Sequence, residues 1–269
     1  MEIVGFFLAA LVGVSLGLIG GGGSILTVPI LVYLIGINPI LATSYSLFIV
    51  GTTSLIGSFI NYKKGYVNIN TALLFGLSSV TTVFITRKYL LPHIPHILFS
   101  NEHFTITQSM ATMVLFAVLM LSASIAMIRS TKEIKYQNTT KVDGNNKGTL
   151  LILYGIFIGL ATGLLGAGGG FLIIPALIFI LKMPMKEAVG TSLLIIALNS
   201  LIGFMGDWGH FFIDWKLLIF ITLISIAGIF IGGLIAKKID GDKLKKIFGW
   251  FVLNMGLYIL IKEIFFGKA

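Results

Sequence analysis

Long apolar runs, separated by short polar segments, dominate the chain. We count eight of them, at residues 3–36, 40–60, 69–91, 104–128, 150–181, 188–205, 215–236 and 247–261. A run of about 18 or more apolar residues is typical of a membrane-spanning helix. A transmembrane barrel would instead alternate polar and apolar residues along each strand, which these runs do not do. The pattern predicts an all-α integral membrane protein with about eight to ten hydrophobic helical segments.

Glycine clusters break two of these runs. The first run contains the four consecutive glycines Gly20 to Gly23, and the fifth contains Gly-Ala-Gly-Gly-Gly at 166–170. Glycine in a helix is about 1 kcal/mol less favourable than alanine, so each cluster predicts a break. The flanking arms, 4–18 with 24–36 and 150–165 with 170–181, would each be helices of roughly 20 Å. Because a hydrocarbon core is about 30 Å thick, we predict two short, glycine-broken helical hairpins, with hinges at Pro29 and Pro175.

The two broken runs belong to an internal repeat. The shift that places Gly17 on Gly163 also aligns identical residues beyond them: Gly20/Gly166, Gly22/Gly168, Gly23/Gly169, Pro29/Pro175, Ala42/Ala188, Ser46/Ser192, Ser54/Ser200 and Gly57/Gly203. We call residues paired by this shift repeat mates. Apolar composition alone would not bring glycines and prolines into register. The sequence therefore predicts a first transmembrane repeat at 1–128, a polar cytoplasmic linker at 129–149 and a second transmembrane repeat at 150–269.

Loop charges predict that the two repeats have inverted topology. Lysines and arginines are enriched in cytoplasmic loops. With the linker in the cytoplasm, Lys63 and Lys64 fall inside, whereas the loop of their repeat mates, which contains Asp207, falls outside. The turn at 36–39 likewise falls outside and its mate at 182–185 inside. Arg87 fits this scheme less well, because it comes at an external end.

Composition excludes several classes of function. The chain has no cysteine, so it has neither disulfides nor thiolate metal sites. Its net charge of +9 lies in short loops between apolar runs, which indicates lipid rather than nucleic acid as a partner. The residues form no catalytic set, and we expect no enzyme activity, no cofactor and no metal. His93, His96 and His103 share one loop, which we interpret as a polar connector more readily than as a metal site.

The glycine breaks are the candidate substrate site. Inverted repeats with broken helices are typical of secondary transporters, whose substrates bind near the midplane between half-helix ends. Helices that begin at Ser24 and Gly170 would aim free amides and a positive dipole end at an anion. We therefore expect the two bends to face each other and to line the site with Gly20, Gly22, Gly23, Ser24, Gly166, Gly168, Gly169 and Gly170. Close helix packing is the alternative use of these glycines.

The next helix of each half carries a polar face. Ser46, Thr53, Gly57 and Asn61 repeat at helical spacing, and their mates are Ser192, Asn199, Gly203 and Asp207, with Thr191 beside them. Ser46, Thr53, Thr191, Ser192 and Asn199 could line a substrate path or bond neighbouring helices, and the pattern leaves both open. We expect Asn61 and Asp207 to be interfacial or capping residues. Charged residues are expected to be absent from the depth of the spans, so an anion would be held without a buried arginine.

These motifs resemble one family. The pattern G-L-x-G-x-G-G-x-x-L-x-x-P occurs at 17–29 and 163–175, and ATSYS at 42–46 and AVGTS at 188–192 follow it. They resemble the TauE/SafE family, the toluene sulfonate uptake permeases. The resemblance implies a permease of the bacterial or archaeal inner membrane for sulfite, thiosulfate or an organosulfonate. The first copy departs from the second at Tyr45, which could narrow the site.

The resemblance also sets the expected partners. They are a small anionic sulfur compound and membrane lipid. The sequence leaves open whether the protein also forms a homo-oligomer. The residues alone leave two alternatives to alternating-access transport: an anion channel, and a membrane assembly protein without transport activity. Direction of transport and coupling ion are not encoded in any motif that we identify.

Overall fold

The computed structural model of the protein describes residues 2–21, 23–101, 104–129, 144–210, 212–235 and 241–266. Almost all of them are helical. The helices are α1 (Glu2–Ile19), α2 (Gly23–Tyr33), α3 (Pro39–Lys63), α4 (Ile69–Ile85), α5 (Leu91–His93), α6 (Gln108–Arg129), α7 (Gly144–Leu165), α8 (Gly170–Leu181), α9 (Met185–Gly206), α10 (Trp215–Ile235) and α11 (Gly241–Phe266). A π-helical turn, Thr86–Leu90, joins α4 to α5.

The apolar runs coincide with these helices, and the prediction of an all-α membrane protein is confirmed. Within the described residues, five helices are long and apolar enough to cross a membrane. Large side chains on their outer faces are exposed and apolar, as contact with lipid requires; they include Phe59, Leu77, Phe157, Leu223 and Leu234. One boundary is wrong: the run at 104–128 begins with a strand. Ile97–Asn101 (β1) and Phe104–Thr107 (β2) pair antiparallel, and α6 starts only at Gln108.

Both predicted hairpins are present, but their arms are unequal. α1 has 18 residues and α7 has 22, so each first arm is about 27–33 Å long rather than 20 Å. The second arms, α2 and α8, have 11 and 12 residues and are short, as expected. α7 is longer because it takes in 144–149, which we assigned to the linker; residues 130–143 lie outside the described residues. Pro29 and Pro175 lie inside α2 and α8, and each helix continues past its proline.

The first helix of each half packs on the fourth helix of the other half. Gly13 of α1 lies against the backbone of Ser225 in α10, and their repeat mates, Gly159 of α7 and Ser79 of α4, make the same contact. Glycine at these positions lets the two backbones approach closely. Each half therefore supplies a helix that completes the other, and the contacts are related by exchanging the halves.

The second helices of the two repeats, α3 and α9, are antiparallel neighbours. Leu47 of α3 lies beside Gly203 of α9, Gly51 beside Ser200, and Gly57 beside Leu193. Residue numbers therefore rise along α3 as they fall along α9, and the two helices run in opposite directions. Two repeat mates that span a membrane in antiparallel directions have opposite topology. The antiparallel packing of α3 on α9 is therefore what two repeats of inverted topology would produce.

Candidate functional site

The two glycine bends are in direct contact at the centre of the fold. A methyl group added at Gly170 would lie 2.6 Å from Cα and 3.0 Å from the carbonyl oxygen of Gly21. A methyl group at Gly21 would in turn strike the backbone of Gly170. Only residues without a Cβ can approach so closely. The sequence therefore brings one bend from each half to a shared point, between α3 and α9.

Each bend begins nearer to one end of the protein than we expected. Gly20 (φ 79°) lies against Val189, and its mate Gly166 (φ 66°) lies against Thr43. Val189 and Thr43 come only one turn into α9 and α3. Because the first arms are long, the two bends start near opposite ends of the α3–α9 pair. The second bend then runs inward, since Gly168 lies beside Val50 at the middle of α3.

Close packing accounts for several of the conspicuous glycines. Gly23 lies against Val12 and Leu16 of α1, and its mate Gly169 lies against Ile158 and Thr162 of α7. These glycines allow the two arms of each hairpin to pack together. Gly17 lies against α10 and Gly163 against Thr86 of the π-helical turn. Close packing therefore explains why these four positions carry no Cβ.

Gly168 has different surroundings, because a polar side chain lies beside it as well as apolar ones. It has φ 64°, and a methyl group placed on it would lie 2.8 Å from Oγ of Ser200. Within the part of the chain that the structure describes, the amides of Gly168, Gly169 and Gly170 donate no hydrogen bond. Gly169 is the N-cap of α8 and supplies no side-chain cap. Free amides at a helix N-terminus, beside a hydroxyl, form an arrangement that suits an anion.

The polar face on α3 and α9 is buried, and much of it is unsatisfied. Several side-chain atoms have no hydrogen-bond partner among the described residues: Oγ of Ser44, Ser46, Ser54 and Ser200, Oγ1 of Thr53 and Thr162, and Nδ2 of Asn199. Unpartnered buried polar groups cost about 1–3 kcal/mol each, so a cluster of them indicates a ligand or water. The hydroxyls of Ser54 and Ser200 are repeat mates, which places an unsatisfied group on both helices.

Other members of the predicted set bond to the protein itself. Oγ of Ser79 donates to Oδ1 of Asn199 at 2.8 Å, which links α4 to α9. Oγ1 of Thr191 accepts from the amide of Asn68 at 2.9 Å, at the start of α4. The hydroxyl of Ser192 donates to the carbonyl of Val189 in its own helix. For these residues helix bonding is the observed role.

Three further residues need separate mention. The hydroxyl of Tyr45 accepts from the amide of Asp214 at 2.6 Å, so this side chain is tied to the loop before α10 and does not narrow the glycine bends. Gly22, the mate of Gly168, lies outside the described residues, as does the side chain of Ser24. In the first repeat, the equivalent part of the site is therefore described only by Gly20, Gly21 and Gly23.

Two charged residues are buried at helix ends, although we expected none deep within a span. Nη1 of Arg87 donates to Oδ2 of Asp207 at 3.0 Å, and the two side chains are 0% and 2% exposed. Asp207 is the C-cap of α9, one of the two roles that we expected for it, and its side chain is buried. The sequence carried a signal for this pair, because Arg87 was the basic residue that fitted the loop charges least well. Asn61, the mate of Asp207, instead donates to the carbonyl of Gly57.

A cavity of about 500 Å³ opens beside this ion pair. Its polar lining comes from the two charged residues and from Asn38, His96, Gln108, Ser109 and His210. All of these residues lie at the end of the protein that we predicted to be external. At the opposite end Gly190 lies against Tyr66, and both are in loops or helix starts predicted to be internal. In the described regions no three His, Cys, Asp or Glu side chains cluster as metal ligands, and His103 lies outside them.

Comparison with known proteins places the chain among membrane transporters. The model of the family described as "Sulfite exporter TauE/SafE" matches residues 5–259. A "Probable membrane transporter protein" of Xylella fastidiosa (strain 9a5c) is 31% identical over 255 residues, which cover 93% of this chain and 91% of that protein. YjnA, a "Probable membrane transporter protein" of Bacillus subtilis (strain 168), is 25% identical over 263 residues, covering 96% and 98%.

A shorter match is closer in sequence. A "Probable membrane transporter protein" of Methanocaldococcus jannaschii is 40% identical over 116 residues, which cover 41% of this chain and 43% of that protein. No solved structure matches the chain.

Proposed function

Because the chain belongs to the TauE/SafE family and is a multi-pass membrane transporter, we propose that it carries a small sulfur-containing oxyanion across the cell membrane. Sulfite, thiosulfate and organosulfonates are the candidate substrates. The family description names sulfite, and the site offers hydrogen-bond donors without a counter-charge. The inner membrane is the proposed location.

The contact between the two glycine bends is the observation on which this proposal depends most. Close to this contact, Gly168 lies beside the unpartnered hydroxyl of Ser200, between α3 and α9, and the free amides of Gly169 and Gly170 follow it in the chain. Charge-assisted hydrogen bonds from such donors are worth roughly twice a neutral bond. An oxyanion that bridged the amides and the hydroxyl would satisfy all of them.

Alternating access is the proposed mechanism. The antiparallel packing of α3 on α9 supports two halves of opposite topology, and such halves can rock about a fixed central site. The two bends start at opposite levels of the fold, Gly20 beside Val189 and Gly166 beside Thr43. Each bend would therefore close the path toward a different side of the membrane.

Flux into proteoliposomes tests the proposal. We expect labelled sulfite, thiosulfate or methanesulfonate to enter with saturable kinetics, and unlabelled anion inside the vesicles to accelerate uptake by exchange. Chloride and phosphate should compete weakly. Saturation-free flux without exchange would identify a channel, and no flux by protein that remains monodisperse would contradict transport of these anions.

Removing an unpartnered hydroxyl from the path should weaken substrate affinity. Ser46→Ala and Ser200→Ala are each expected to raise the substrate Kd about tenfold, because a hydrogen bond to a charged group is worth roughly 1.5–3 kcal/mol. Ser192→Ala, which removes a hydroxyl already bonded to Val189, should have a smaller effect. Isothermal titration in detergent measures the Kd values. Ser58→Ala is the matched control, because Ser58 is also buried on α3 but bonds to Leu55. Unchanged affinity for all four variants would restrict these serines to helix contacts.

The proposed inversion predicts which loops share a side. Single cysteines at Lys64 and Lys182 should be labelled from the cytoplasm, and cysteines at Asn38 and Trp208 from the outside. The chain has no native cysteine, so each variant reports one position. Labelling of Lys64 and Trp208 variants from the same side would contradict inverted repeats.

A further inference from the structure

Arg87 has an unusual set of partners for a buried arginine. Only its Nη1 bonds to Asp207, while Nε and Nη2 have no hydrogen-bond partner among the described residues, although the side chain is fully buried. The pair with Asp207 offsets the charge. It does not satisfy these two donors, and an unpartnered donor on a buried charged group is costly.

The free donors form one edge of the guanidinium. The N–H groups of Nε and Nη2 are parallel, and this edge binds two oxygens of a carboxylate, sulfonate or phosphate with two parallel hydrogen bonds. Lysine cannot reproduce this geometry, since its ammonium acts as a point charge. A donor pair of this kind recognises an oxyanion in preference to chloride.

Arg87 is also in the wall of the cavity of about 500 Å³, together with Gln108, Ser109 and Asn38. These side chains can donate further hydrogen bonds to an anion. The repeat mates of Arg87 and Asp207 are Gly233 and Asn61, so the opposite half of the protein lacks the ion pair. A cavity with this ion pair in its wall is therefore found at one end of the described protein only.

Helix α9 extends from the cavity to the glycine bends. Gly206 of α9 lies beside the side chain of Arg87, and Ser200 of the same helix lies next to Gly168. Six residues of helix separate Gly206 from Ser200, a rise of about 9 Å along the helix axis. The Arg87 end and the central site are therefore at neighbouring levels of α9.

We propose that Arg87 forms a second oxyanion-binding site, in which its Nε–Nη2 edge holds two oxygens of the anion at the mouth of the path. Asp207 fixes the guanidinium through Nη1 and leaves that edge free. The site lies apart from Gly168 and admits small monovalent oxyanions such as sulfonates. It concentrates substrate at one side of the membrane only.

Protection of a single cysteine tests this site in the folded protein. Ser109→Cys introduces the only thiol, in the cavity wall, and N-ethylmaleimide reports its accessibility. Saturating methanesulfonate should slow the labelling at least tenfold, acetate should act similarly, and chloride at equal concentration should have little effect. A cysteine at Lys64, at the opposite end, should be labelled at the same rate with and without the anion.

Two variants in this background isolate Arg87. Arg87→Lys keeps the charge but removes the donor pair, and it should raise the methanesulfonate concentration for half-protection more than tenfold. Lys88→Gln removes the neighbouring exposed charge and should leave that concentration unchanged. If Arg87→Lys does not fold, the comparison of methanesulfonate with chloride in the Ser109→Cys protein still decides the question.

The outcomes separate this site from the proposed transport function. Equal labelling with and without methanesulfonate, or equal protection by chloride, would overturn the Arg87 site. Saturable flux that requires Gly168 would then leave the transport proposal intact. Protection that depends on Arg87 without any flux would support the site and remove the transport proposal instead.

Discussion

Gly168→Val is expected to abolish transport, with a fall in kcat/KM of more than 100-fold. The new side chain would occupy the space in front of the free amides, where Oγ of Ser200 is 2.8 Å and Cγ1 of Val50 is 3.1 Å from the position of its Cβ. Two or more hydrogen bonds to the anion would be lost, and bonds to charged groups are worth roughly 1.5–3 kcal/mol each. Flux into proteoliposomes and titration with methanesulfonate measure the effect.

Backbone strain must be separated from loss of the site in this variant. Gly168 has φ 64°, where a residue with a Cβ costs roughly 1–2 kcal/mol. Gly36→Val is the matched control, because Gly36 has φ 80° and no atom within 4 Å of an added Cβ. We expect both variants to lose stability through backbone strain, Gly168→Val to lose more because of its close contacts, and only the folded fraction of Gly168→Val to lose binding. If binding and folded yield fell in the same proportion at Gly168, close packing would explain this glycine too.

Gly170→Val should have a large effect on stability. Its Cβ would meet the backbone of Gly21 from the opposite half at 2.6 Å, and a backbone cannot turn aside as a flexible side chain can. Overpacking a core costs typically 1–3 kcal/mol and more where backbone must move. For a chain of this size we expect Tm to fall by roughly 6 °C or more.

Thermal unfolding in detergent, followed by size-exclusion chromatography, measures this loss. Gly233→Val is the control, because Gly233 lies in α10 with no atom within 4 Å of an added Cβ. Its Tm should change by about 2 °C or less. A Gly170→Val protein as stable as Gly233→Val would mean that the two bends do not meet in the membrane.

The helices and the hairpins could be predicted because each is recorded locally in the sequence. Apolar runs mark the helices, and the glycine clusters mark the breaks. The repeat was found by matching Gly17 with Gly163. The β1–β2 hairpin was missed, since Phe104–Thr107 contains no charge, glycine or proline and continues directly into α6.

The role of each single glycine could not be predicted from the local sequence. Gly168 and Gly169 follow one another in the repeat motif, yet Gly169 packs on α7 while Gly168 faces Ser200. Only the path of the backbone decides which of them meets a helix and which meets a polar group. The Arg87–Asp207 pair was missed for the same reason, because its partners are 120 residues apart and come from different halves.

Amide chemical shifts test the central claim most directly: that an oxyanion is held by the free amides of the glycine bend. Glycine-selective ¹⁵N labelling in nanodiscs reports the 32 glycines of the chain, and single substitutions assign Gly168, Gly169 and Gly170. We predict that methanesulfonate or sulfite shifts these three amide signals in one saturable isotherm, whose midpoint matches the substrate Kd. Saturable transport with these three signals unmoved, under conditions where the substrate is bound, would contradict the account.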